Sequence, residues 1–182
     1  MTRIALPASI ETAPAAAQPL LEAVKKMLGS VPNLFRITAN SPAALEGYLG
    51  LNGALAKGSL DARTREGIAL AVAQINGCDY CLAAHTYLAT HVAKLDEAEI
   101  AANRGGGSED EKADAAIRFA TALVNARGHV SENDVSAIKA AGYSEAEIVE
   151  IVAHVALNTL TNYLNSALDT PIDFPVVNAK VA

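Results

Sequence analysis

The chain has 182 residues, 51% of them hydrophobic and 19% charged, with a formal net charge of −6. This is the size of one domain, large enough to bury a core without disulfide staples, and the negative balance argues against nucleic acid or an anionic membrane surface as the main partner, because both need a basic patch. No run of 18 apolar residues is present and Met1 to Ala17 carries no apolar core, so neither a membrane span nor a signal peptide is read, and the expectation is a soluble cytoplasmic protein.

Met1 to Gln18, rich in Ala and Pro and without a period, reads as an extended arm (1–18). Pro19 opens a helix to about Leu28, with Gly29 just past its end. Pro32 and Pro42 bracket an irregular connection, and a helix follows from about Ala43 to Lys57, before Gly58. Asp61 caps the next helix, to about Asn76, whose body from Ile68 to Ile75 is apolar almost all round and predicts a buried central helix. Gly77 breaks it. A further helix is predicted from about Cys78 to His91 or Val92, and a short one from Asp96 to Asn103.

Gly105, Gly106, Gly107 and Ser108 form the clearest breaker. Beyond it, helices are predicted over Glu109 to Arg127 and over Glu132 to Ala141, the latter capped by Ser131 and closed by Gly142. Ser144 with Glu147 has the capping-box spacing and opens a long helix to about Leu168. No run alternates like a strand between turn signals. The predicted fold is all-α, a single domain over 1–182 with one half at 40–104 and a second helical half at 109–182. A shift of 84 residues lays Glu66, Cys78, Cys81 and His85 on Glu150, Asn162, Asn165 and Asp169. A pseudo-repeat and coincidence both remain open on this pattern.

The chain's only two cysteines stand as Cys78-Asp79-Tyr80-Cys81, with His85 four residues on. At about 100° per residue the three side chains share one helix face. The two thiols fall in the first turn, where free amide N–H groups and the dipole favour thiolate. His85 is placed to act as a base. Glu66 lies on the preceding helix with Ala69, Leu70 and Ala73 along its face, so its carboxylate needs a partner. Spacing leaves two choices equally open, an imidazole or thiol on the next helix, or Arg63 or Arg65 beside it.

Glu66, then eleven residues, then Cys78-x-x-Cys81-x-x-x-His85 resembles the core motif of the alkylhydroperoxidase D-like proteins, within the wider carboxymuconolactone decarboxylase family. The likeness is strongest from Pro42 to Asn103. The C-terminal stretch with Asn162, Asn165 and Thr170 to Pro175 resembles the peroxidase-related branch. The resemblance implies an all-α homo-oligomer built from trimers, a trimer or hexamer, and a thiol peroxidase that needs no resident cofactor or metal. It implies that Cys81 attacks the peroxide, Cys78 closes the disulfide, and Glu66 and His85 relay the proton. An external dithiol or a disulfide reductase would reset the pair. Tyr80 stands where some members carry His, and reads as a packing or surface residue.

Other readings stand beside this one. Cys78, Cys81 and His85 are three potential zinc ligands, which His154 or Glu66 would have to complete. A redox sensor or helical interaction module would use the same pair without turnover. His91 and His129 read as surface residues and His154 as a satisfied core histidine. Asn158, Asn162 and Asn165 read as structural, and Glu145, Glu147 and Glu150 as first-turn acids on a solvated face.

Overall fold

The structure, a computed structural model, describes residues 2–179; Met1 of the predicted arm and residues 180–182 lie outside it. Its helices are α1 (Gln18–Leu28), α2 (Asn33–Thr38), α3 (Pro42–Leu55), α4 (Ala62–Ile75), α5 (Asp79–Leu88), α6 (Glu97–Arg104), α7 (Glu111–Asn125), α8 (Glu132–Ala140) and α9 (Glu145–Leu168), with no strand among the described residues. The fold is all-α, as the patterning predicts. None of these helices is long and apolar enough to cross a membrane.

Helix α4 is the axis of the molecule. Asp61 caps it by accepting from Thr64 N–H at 2.9 Å. Gly67 and Ile68 through Ala73 are all buried, against α5, α6, α7 and α9. Ile68, Leu70 and Val72 are fully enclosed, and each such side chain contributes roughly 1.5–3 kcal/mol. Gly67 sets how closely α7 approaches: a Cβ there would stand 2.6 Å from Ile117 Cδ1 and 3.0 Å from Asn103 Oδ1.

Gly77, at φ +66°, turns the chain out of α4 in a conformation that costs glycine little. Cys78 N–H closes the turn on Ala73 O at 3.0 Å. Helix α5 ends earlier than predicted: a single π turn at Ala89–Ala93 follows, and Lys94 in the left-handed region stops it. Ser131 and Ser144 both form full capping boxes, with Asp134 and Glu147.

Two expectations need correction, and the structure bears on the repeat pattern that the sequence leaves open. The connection between Pro32 and Pro42 contains α2, whose first amides are satisfied from far away: Asn33 N–H by Asp173 and Leu34 N–H by Tyr80. The arm is not simply extended. It makes a 3₁₀ turn at Ala15–Ala17, buries Ala13 and Ala17 beside Leu21 and Leu45, and donates Arg3 N–H to Leu168 O. The 84-residue shift is not a repeat of shape, because 66–85 spans two helices bent at Gly77 whereas Glu150 to Leu168 lies on the single helix α9.

Candidate active site

Gly77 delivers Cys78 as the N-cap of α5, where its sulfur accepts from Cys81 N–H at 3.2 Å. Cys78 and Cys81 are joined as a disulfide, with Cα atoms 5.3 Å apart. Both are buried, at 1% and 3% exposure. One turn further along α5, His85 Nδ1 lies 2.8 Å from Glu66 Oε2 on α4. This decides the question spacing left open, since Glu66 pairs with the imidazole and not with an arginine. An ionised carboxylate only accepts, so Nδ1 carries the hydrogen and Nε2 is the basic nitrogen. The pair is about one-fifth exposed, which leaves it reachable from solvent.

Cys81, Glu66 and His85 line one cavity of about 230 Å³. Polar groups of α9 form its far wall: His154, Asn158, Thr161 and Asn165 recur at i, i+4, i+7 and i+11. Asn165 Nδ2 donates to Cys81 Sγ at 3.4 Å. Asn165 therefore belongs to the site, contrary to its structural reading. Asn158 keeps a structural bond, Nδ2 to His154 O, while lining the cavity. Asn162 accepts from Asn76 and ties α9 to the end of α4.

His154 is also corrected. Its Nε2 is buried with no hydrogen-bond partner among the described residues, and the ring lines the cavity. Burial, reinforced by the Arg65 charge, holds it below the ordinary imidazole value. Glu150 is no free surface acid, because it accepts from Ser59 and Leu60 N–H and fastens α9 to the start of α4. His91 and His129 are exposed.

Glu66 and His85 also line a second, larger cavity of about 550 Å³ with a mainly apolar wall including Leu28, Phe35, Tyr87 and Phe174. Tyr48 and Tyr80 line both spaces. Burial, with the Glu66 charge adding, pushes the Tyr48 phenol up to about 12. Tyr80 is buried and held well above the ordinary phenol value by that burial; its oxygen accepts from Leu34 N–H and its ring meets Phe174 edge-on. It packs α5 against α2 and the C-terminal tail. Among the described residues no group of three or more His, Cys, Asp and Glu is arranged to hold a metal ion.

An apolar antechamber, a polar inner cavity, a cysteine pair and a carboxylate-steered imidazole thus meet at the junction of α4, α5 and α9. Residues 42–126 match the carboxymuconolactone decarboxylase family. No curated protein matches the chain. Among solved structures it is similar to an uncharacterized peroxidase-related protein from Ralstonia eutropha JMP134, described as an alkylhydroperoxidase AhpD core. That pair has 22% identity and a TM-score of 0.83, over 94% of this chain and 92% of that one. A peroxidase-related protein from Silicibacter sp. TM1040 has 24% identity and a TM-score of 0.80, over 93% and 91%. The debrominase Bmp8, in a variant bound to 2,3,4-tribromopyrrole, has 22% identity and a TM-score of 0.78, over 95% and 94%. The motif segment 42–126 thus matches the carboxymuconolactone decarboxylase family, and the whole chain has the alkylhydroperoxidase D-like fold.

Proposed function

We propose that the protein is a thiol peroxidase that reduces hydrogen peroxide or organic hydroperoxides through a Cys78/Cys81 dithiol–disulfide cycle. The observation that carries this reading is the placement of the Cys78–Cys81 disulfide beside the Glu66–His85 pair, with Cys81 and that pair on one cavity. In the reduced protein His85 Nε2 takes the proton from Cys81, and Glu66 stabilises the resulting imidazolium. The Cys81 thiolate attacks the distal peroxide oxygen, the O–O bond breaks, and the departing alkoxide takes the proton back and leaves as alcohol. Cys81 is then a sulfenic acid. Cys78 attacks it, water leaves, and the disulfide forms. Two electrons have passed from two thiols to one peroxide, and two thiol equivalents restore the pair. The apolar antechamber suits a hydroperoxide with a hydrocarbon body.

The cysteine variants test this cycle. Cys81→Ser is expected to lose peroxide reactivity outright, whereas Cys78→Ser reacts once and stops at the sulfenic acid, detected by dimedone labelling. Full turnover by Cys81→Ser refutes the mechanism.

The same parts support a second reading, thiol-driven dehalogenation, in which two thiols become a disulfide and an aryl bromide becomes arene and bromide. What favours it is the aromatic lining of the antechamber, together with the likeness to the debrominase fold. Bromide release from a bromopyrrole, measured beside peroxide consumption, separates the two.

A homo-oligomer completes the proposal. Val149, Val152, Ala156, Leu160 and Tyr163 form an exposed apolar stripe along α9 with near-heptad spacing, suited to a second copy of the same helix. Light scattering is expected to show an oligomer that Leu160→Lys dissociates; a monomeric wild type would refute it.

A further inference from the structure

The two sulfurs of the disulfide open onto different spaces. Cys81 lines the cavity that holds Glu66 and His85. Cys78 instead lines a separate cavity of about 400 Å³, walled by Asp79, Asn165, Ser166, Asp169, Thr170 and Ile172. Two polar side chains of this wall are almost wholly buried, Asn165 at 3% and Thr170 at 7% exposure. Asn165 Oδ1 and Thr170 Oγ1 have no hydrogen-bond partner among the described residues. Two carboxylates, Asp79 and Asp169, stand in the same wall.

We propose that this cavity is the entry site for the reductant, a small dithiol, and that the reductant attacks Cys78. The proposal rests on the reading of the pair as a redox cycle and adds the side and the chemistry of its reset. Attack on a disulfide runs along the S–S axis, from behind the sulfur that is struck. Cys78 borders this cavity and Cys81 borders the one assigned to the peroxide, so a reductant entering here meets Cys78 first. Cys78 is 1% exposed, so only a slim molecule reaches it.

The departing group is provided for. As the incoming thiolate bonds to Cys78 Sγ, the Cys78–Cys81 bond breaks and its electron pair stays on Cys81. The Asn165 Nδ2–H already directed at that sulfur, at 3.4 Å, stabilises the thiolate formed. The reductant's second thiolate then attacks its own sulfur in the mixed disulfide. A cyclic disulfide leaves, and Cys78 departs as a thiolate that takes up a proton from water. The peroxide-reactive thiolate is thus the first to be regenerated, inside its own cavity, while the resolving thiol still carries the reductant.

The test starts from protein oxidised with diamide, so it is independent of whether peroxide is a substrate. Oxidised protein is mixed with cysteamine, quenched with N-ethylmaleimide in acid, and the peptide carrying both cysteines is fragmented by mass spectrometry. The expected product carries cysteamine on Cys78 and maleimide on Cys81; the reverse placement overturns the proposal. In a second arm, dithiothreitol reduction is timed for Ser166→Trp, which fills this cavity, and for Asn52→Trp, which narrows the other one. Ser166→Trp is expected to slow reduction at least tenfold while peroxide oxidation of the reduced protein keeps its rate. Slowing by Asn52→Trp alone, or by neither variant, overturns it. Loss of peroxide reactivity with these results intact would reject the peroxidase reading and leave the entry site standing.

Discussion

Asn165→Leu isolates what α9 contributes to the thiol. Asn165 Nδ2 is directed at Cys81 Sγ from 3.4 Å, and the residue is 3% exposed, so water cannot replace the contact. A hydrogen bond to a charged acceptor contributes about 1.5–3 kcal/mol. Sulfur is a large, diffuse acceptor and the contact is long, so the low end applies. At 1.36 kcal/mol per unit, losing it raises the Cys81 thiol pKa by about one unit. The rate of peroxide attack near neutral pH then falls about tenfold and recovers at alkaline pH, where the thiol is ionised regardless. Leucine is close in volume, and Asn165 Oδ1 has no partner among the described residues to lose, so folding stability changes little. The assay follows ultraviolet thiolate absorbance and peroxide consumption against pH in a Cys78→Ser background, where Cys81 is the only thiol. An unshifted profile, or a loss that persists at alkaline pH, refutes the role given to Asn165.

Glu66→Gln keeps the shape beside His85 but removes the charge that stabilises the imidazolium; peroxide attack is expected to slow about tenfold to hundredfold, less than the 10²–10⁴-fold for loss of His85 itself, and an unchanged second-order rate constant contradicts the relay. His154 binds its proton less readily in the fold than in the unfolded chain, through burial and Arg65 against the opposing pull of Glu150 and Glu66. The unfolded state therefore holds more protons below the ordinary histidine value of about 6.5, and stability declines as pH falls through that value toward the depressed folded one. Urea unfolding from pH 8 to pH 5 is expected to show this slope flattened in His154→Gln, and an identical slope in the variant contradicts it. Gly67→Ala puts a methyl group 2.6 Å from Ile117 Cδ1, and the overpacking is expected to lower stability by about 1–3 kcal/mol in chemical denaturation; wild-type stability there would mean α7 yields freely.

The features legible in the sequence were those fixed by neighbours in the chain. Asp61, Ser131 and Ser144 cap helices through bonds three residues away, so local pattern finds them. The apolar body of α4 announces its burial for the same reason. Helix α2 was hidden because its six residues are too few to show a period and its first amides are held by Asp173 and Tyr80, both distant in sequence. Glu150 resembled a surface acid because its partners, Ser59 and Leu60, are ninety residues away.

The site divided along the same line. Cys78, Cys81 and His85 form one helical repeat, and Glu66 stood out as a carboxylate on an apolar face. Asn165 and His154 gave no such signal, since an amide or an imidazole on a buried helix is most simply structural. The one hint was numerical: the 84-residue shift laid Cys81 on Asn165, and in the fold the two touch. Contact between the motif helix and α9 produces the site, and no local pattern encodes it.

The central claim is that the cysteine pair gives two electrons to a peroxide. The most direct measurement mixes reduced protein with one equivalent of cumene hydroperoxide and counts thiols, disulfide and alcohol on the same sample. The account predicts the loss of two thiols, one intrachain Cys78–Cys81 disulfide and one equivalent of cumyl alcohol. Unconsumed hydroperoxide with both thiols still titratable would contradict it.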